Sequence, residues 1–166
     1  MRLWHVYLIK VLPMKQLVSQ WRECCCIAKN IANKGTPNHL LVNKVSEYHY
    51  NNFNYYTMLV VNEMKKKKKR GYKVSENFIS NFVDNLVDGI NKFNNSKLTM
   101  VLFEGWHNER YLKQCYYNLQ EKYDCGGISK EEWMKVYKYV NFALDLRLDD
   151  EKIIFKSSLQ ILTYVL

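Results

Sequence analysis

Proline and glycine are scarce in this chain, 2 and 6 of 166 residues. So few breakers argue against a loop-rich or low-complexity polypeptide and leave only short connections between regular elements. Long apolar runs are also missing. Stretches such as residues 58–61 fall far short of the ~20 residues that span a bilayer. The opening lacks the pattern of a secretory leader: after Arg2 the apolar stretch is interrupted by His5 and Lys10, with no small-residue cleavage site. A cytoplasmic protein with no membrane partner is expected. The cysteines lack a pairing pattern, since Cys24, Cys25 and Cys26 are consecutive and Cys115 and Cys125 lie far away. Neither they nor His5, His39, His49 and His107 show the paired spacing of a zinc site. Reduced thiols, no metal and no cofactor are the expectation. Acidic residues are nearly absent from the first half. Residues 1–75 hold 14 Lys/Arg against 3 Asp/Glu, a net +11, whereas residues 76–166 hold 11 against 13, a net −2. That asymmetry suggests a polyanion contacted by the N-terminal half.

What is present is helical periodicity over a length that suits one domain. Leu12-Pro13 is the first punctuation, because proline pushes its predecessor out of the helical region and is itself at ease in a first turn. Residues 1–12 are therefore expected to be an extended arm leading into a helix over about 13–32. Leu17, Trp21, Cys24, Ala28 and Ile31 form its apolar stripe. A second helix is expected over about 47–69 on Phe53, Tyr56, Val60 and Met64, and a third over 77–94 on Phe82, Leu86, Ile90 and Phe93. A fourth, near 108–123, shows Leu112, Cys115, Tyr116 and Leu119, and Ser129 to Glu132 is a capping-box pattern opening a fifth. The last 17 residues read as a terminal helix. Residues 98–103 could form one strand, which makes no sheet alone. The class is all-α: one compact helical domain with an extended N-terminal arm, comprising residues 1–128 and a C-terminal helical extension, 129–166, packed on it.

The polar side of the first helix carries the most chemistry. Gln16, Gln20 and Glu23 share a face, and Lys15, Arg22 and Lys29 run beside it at heptad spacing. On spacing alone this is either an ordinary solvated face with a helix charge pair or a carboxylate set within a phosphate-binding surface.

Three blocks add information. The opening Met1-Arg2-Leu3-Trp4-His5, with Leu12-Pro13, Gln16-Leu17 and Arg22-Glu23-Cys24, resembles the start of the pyrimidine-dimer DNA glycosylase (endonuclease V) family. Tyr56, Leu59-Val60, Glu63-Met64 and Lys69-Arg70-Gly71-Tyr72-Lys73-Val74 resemble that family's second helix and its end. His107-Asn108-Glu109, Tyr111-Leu112, Cys115 and Asn118-Leu119 resemble its last helix. The likeness covers roughly residues 1–74 and 104–128. It implies a monomeric repair enzyme acting on UV-induced pyrimidine dimers in double-stranded DNA, both as glycosylase and as AP lyase. In the family the nucleophile is the α-amine of the mature N-terminal residue, assisted by a glutamate on the first helix. Carried over, these are Met1 and Glu23, with Arg2, Arg22, Gln16, Lys15 and Lys29 toward the DNA.

That chemistry suits these groups. An α-amine, with a usual pKa of about 7.7–8.0, is partly neutral and nucleophilic near pH 7, unlike lysine at about 10.4. Attack on the deoxyribose C1′ displaces the base and leaves an imine. Arg2 is too large to favour removal of the initiator methionine, so Met1 is expected to keep its own amine. Better-known relatives expose a small residue instead. Gln16 stands where some relatives have histidine. Cys26 stands where some have a second phosphate-binding arginine, a role Lys29 could take. The cation run over residues 65–70 is about three residues longer than the family pattern and reads as a solvated basic helix end, with phosphate contact second. Trp133, Tyr137 and Tyr139 resemble an aromatic C-terminal segment of some relatives, although Trp133 and Tyr137 also fit a core at i, i+4. The competing functions are a non-catalytic helical protein binding double-stranded DNA and the same lyase chemistry on another damaged base.

Overall fold

The computed structural model describes residues 2–67, 74–94, 99 and 101–145, with side chains through Phe142. Among the described residues all regular structure is helical. Five α-helices follow in order: α1 Met14–Lys34, α2 Tyr50–Lys66, α3 Glu76–Asp88, α4 Glu109–Asp124 and α5 Lys130–Asp145. Short 3₁₀ segments stand at Val6–Leu8, Asn43–Glu47 and Ile90–Lys92. The chain divides into two compact units, one running to His107 and the other starting at Asn108. The expected boundary at 128 falls in the short turn between α4 and α5.

In the first unit α1 is the central helix, packed against both α2 and α3. The expected stripe is wholly buried and is widened by Val18 and Ile27. Its partners are the expected α2 residues, Phe53, Tyr56, Val60 and Met64, together with Phe82 and Leu86 of α3. Rings bridge the three helices, with Trp21 to Phe82 at 5.7 Å and Phe53 to Phe82 at 5.8 Å between centroids. Such aromatic contacts add to the area they bury. Gly35, at φ 71°, closes α1 as a left-handed cap and donates its N–H to the Ile31 carbonyl.

Three expectations change here. The arm is irregular and extended only to His5; residues 6–8 then turn into 3₁₀ because the His5 ring accepts from the Tyr7 N–H and its carbonyl from the Leu8 N–H. The third helix stops at Asp88 rather than 94. Its end approaches α1 so closely that a Cβ at Gly89 would stand 2.9 Å from Ile31 Cγ2, and the chain continues as the 3₁₀ turn. No strand forms at 99 or 101–103; the rest of the 98–103 segment, the far end of the second helix and the expected terminal helix lie outside the described residues.

In the second unit α4 and α5 form a helical hairpin. Gly126, at φ 73°, makes the turn, and Gly127 donates its N–H to the Lys122 carbonyl at 2.7 Å. The capping box forms: Ser129 Oγ accepts from the Glu132 N–H, and Glu132 Oε2 accepts from the Ser129 N–H, both at 3.3 Å. Trp133 is buried and stacks on Tyr123 at 5.4 Å. Tyr137 instead is exposed, because the buried face of α5 runs through Trp133, Val136 and Val140.

Candidate active site

The polar face of α1 is covered by the arm. An extended chain presents alternate N–H groups to one side, and α1 offers acceptors one turn apart on the facing side. Arg2 donates its backbone N–H to Glu23 Oε2 at 2.9 Å, and Trp4 donates its N–H to Gln20 Oε1 at 2.8 Å. The next alternate N–H, that of Val6, goes to His107 Nδ1 at 3.1 Å. The Trp4 carbonyl accepts from the Tyr56 hydroxyl of α2 at 2.8 Å. The arm thus satisfies its backbone with side chains where a strand would use a neighbouring strand. Leu3 and Leu8 are fully buried and fix it from the apolar side.

Two histidines lock the base of this arrangement. His5 and His107 stack with ring centroids 5.1 Å apart; His5 is buried and His107 half-buried. Each Nδ1 accepts a backbone N–H, from Tyr7 and Val6 respectively, so both rings are neutral with the proton on Nε2. His5 Nε2 then donates to the His107 carbonyl at 2.8 Å. Burial, with the neighbouring His5 ring second, holds His107 well below the usual histidine range. The turn bearing His107 is held in place: Asn52 Oδ1 accepts from the Phe103 N–H at 3.2 Å, and the Tyr48 hydroxyl donates to the Glu104 carbonyl at 2.7 Å. In the sequence, His5 and His107 show only that they lack a metal-ligand spacing, and Tyr56 that it fits an apolar helix face, apart from their places in the family-like blocks. Their contacts join residues 101–102 and 52 positions apart, which no local spacing reveals.

Glu23 is half-buried on α1 with one carboxylate oxygen on the arm. A carboxylate has about four acceptor positions, so a single N–H leaves capacity toward a substrate or another protein group. The cations form two sets. Arg2 lies over the Trp4 ring, its guanidinium carbon 5.9 Å from the centroid, beside Glu23 through its own backbone. Lys15, Arg22 and Lys29 are exposed along α1, about 10.5 Å apart in axial rise. Gln16, expected toward the DNA, is 8 % exposed, and its buried carbonyl oxygen has no hydrogen-bond partner. Met1 lies outside the described residues.

The lysine run divides as well. Lys67 donates through Nζ to the carbonyls of Lys10 and Leu12, at 3.0 and 2.8 Å, and pairs with Glu63 at 3.4 Å. It clasps the arm immediately before Pro13, where an expected solvated end would leave it in water. Lys65 and Lys66 are exposed, and residues 68–70 lie outside the described residues. The cysteines are free thiols. Burial pushes Cys24 and Cys25 up to about 12, which keeps them protonated and unreactive near pH 7. Among the described residues no cluster of three metal-ligating side chains occurs, and no helix is long and apolar enough to cross a membrane.

Residues 1–80 match the family model described as pyrimidine dimer DNA glycosylase. No curated protein and no solved structure matches the chain. The matched segment contains the arm, the Arg22-Glu23 pair and the whole of α1 and α2. By that match, the N-terminal 80 residues, just under half of the chain, are similar to the pyrimidine dimer DNA glycosylase family.

Proposed function

We propose that the protein is a pyrimidine-dimer DNA glycosylase with AP lyase activity, in which the α-amine of Met1 is the nucleophile and Glu23 the assisting carboxylate. The observation that carries this reading is the hydrogen bond from the Arg2 N–H to Glu23, inside the segment that matches the family. The Arg2 nitrogen is the peptide bond to residue 1. Three covalent bonds, about 4.3 Å in total, separate it from the Met1 nitrogen. The amine therefore stays within that radius of an atom 2.9 Å from the carboxylate.

The neutral amine attacks C1′ as the C1′–N bond to the damaged base breaks, and the base leaves with the electron pair and takes up a proton. The Glu23 carboxylate stabilises the positive charge that builds on the sugar. Loss of an amine proton and ring opening give an iminium at C1′, which acidifies C2′. Glu23 takes the C2′ proton while the C3′–O bond breaks and the phosphate departs. Water then hydrolyses the imine and frees the amine. Arg2, Lys15, Arg22 and Lys29 neutralise phosphates of the duplex, which a dimer lesion already weakens for extrusion of a nucleotide.

The test is borohydride trapping on UV-irradiated duplex and on abasic duplex. Wild type should form a covalent protein–DNA adduct with both. Glu23→Gln keeps an acceptor for the Arg2 N–H but removes the charge, so adduct formation should fall at least ~100-fold; Lys65→Ala should behave as wild type. An N-terminal extension should abolish the adduct while leaving DNA binding. Normal duplex binding with no adduct on either substrate would refute the enzyme.

A further inference from the structure

The turn between α1 and the 3₁₀ segment at Asn43–Glu47 displays an apolar tip. Leu40 is 90 % exposed, more than any other large apolar side chain among the described residues, and Leu41 is 54 % exposed. The turn itself imposes this exposure. The His39 carbonyl accepts from the Val42 and Asn43 N–H groups at 2.9 and 3.0 Å. The Asn43 side chain accepts from the His39 N–H at 3.0 Å, and His39 Nδ1 accepts from the Leu41 N–H at 3.3 Å. Asn38 takes a left-handed φ of 59° to enter it, a conformation asparagine tolerates better than most residues. Pro37 and Val42 are buried on either side and anchor both ends. Two leucines are thus held out in water on a hydrogen-bonded turn, against their own hydrophobicity.

The loop is tied to the site. Asn30 Nδ2 donates to the Pro37 carbonyl at 3.0 Å, and Asn30 lies seven residues after Glu23. Seven residues are two turns, so both sit on one side of α1, about 10.5 Å apart in rise. The flanking chain has one sign of charge: between Glu23 and Glu47 it has Lys29, Lys34 and Lys44 and no acid, and these three lysines are exposed. An apolar tip flanked along the chain by exposed cations fits a nucleic-acid duplex, with lysines on phosphates and leucine between bases.

We propose that Leu40, backed by Leu41, is a wedge that enters the base stack beside the lesion and holds open the gap left by the extruded nucleotide. This rests on the glycosylase reading above, and its test separates the two. A duplex with a single pyrimidine dimer and 2-aminopurine in the opposite strand should brighten when wild type binds. Leu40→Ala/Leu41→Ala should lose most of the brightening and form the borohydride adduct about tenfold more slowly, because nothing then holds the unstacked step open. On a single-stranded abasic oligonucleotide, which has no stack to open, its rate should stay within about twofold of wild type. Leu40→Met should restore the duplex rate, and unchanged thermal melts show that the variants fold. Brightening and duplex rate unaffected in the double variant, with wild type active, overturn the wedge and leave the enzyme standing. Absence of any wild-type adduct overturns the enzyme, and brightening then decides the wedge alone: loss in the variant supports it, no brightening by wild type ends it. An unchanged duplex response combined with lost binding to phosphatidylglycerol vesicles, or with lost self-association, also overturns it in favour of a membrane or a second copy.

Discussion

Gln20 and Glu23 sit one turn apart on the same helix and accept from alternate N–H groups of the same arm, yet their substitution should separate stability from chemistry. Gln20 is fully buried and so is the Trp4 N–H that it accepts. Gln20→Ala leaves that donor unsatisfied, at about 1–3 kcal/mol, and should lower the urea midpoint measurably. Glu23→Gln retains an acceptor on a half-buried side chain and should leave the midpoint nearly unchanged. A large loss of stability in the glutamate variant would make Glu23 a structural residue first. The spacing of Gln16, Gln20 and Glu23 was enough to group them on one polar face. What covers that face was not legible, because the docked arm turns two of the three into acceptors for backbone and leaves Gln16 buried beside them.

At the scale of elements, the arm illustrates why sequence periodicity finds helices more readily than sites. The apolar stripes of α1 and α2 repeat every turn and were readable residue by residue. The arm has no period of its own beyond the alternation of residues 2, 4 and 6, and its partners come from α1, α2 and the turn at 101–107. Likewise the end of α3 depends on how near it lies to Ile31, which the spacing of Ile90 and Phe93 could not register. The arm's dependence on neutral histidine gives a pH prediction. His107 is held below its ordinary value, so the unfolded chain binds the proton first as pH falls. The stability that it contributes is complete above about pH 6.5 and declines as pH drops below that value toward the lower folded-state pKa. Urea midpoints measured from pH 7.5 to 5 should fall on the acid side. His107→Asn, whose Oδ1 can accept from Val6 without titrating, should flatten that slope; an equal slope in the variant would assign it to other groups.

At the scale of the molecule, the charge asymmetry resolves into specific cations. Lys15, Arg22 and Lys29 are exposed and, with Arg2, are the cations proposed to meet phosphate, whereas Lys67 spends its ammonium on two carbonyls and Glu63. Neutralising six phosphates, through these four cations and through Lys34 and Lys44 beside the proposed wedge, predicts a slope of about −5.4 for log K against log salt on duplex DNA, and Lys29→Gln should reduce it by about 0.9. Lys67→Gln should leave the slope alone. Titrations by fluorescence anisotropy from 50 to 200 mM salt would measure both, and a flat response would remove DNA as the partner. Net charge indicated a polyanion but could not tell an exposed lysine from one consumed inside the fold.

The bond between the Val6 N–H and His107 spans 101 positions of the chain. Closing so long a loop is entropically unfavourable until the helices between its ends have assembled. The amide protons of Trp4 and Val6 should therefore be shielded last on refolding and, in native-state hydrogen exchange, should report detachment of the arm as a unit. The rate of that exchange would measure how often the Arg2 backbone lets go of Glu23.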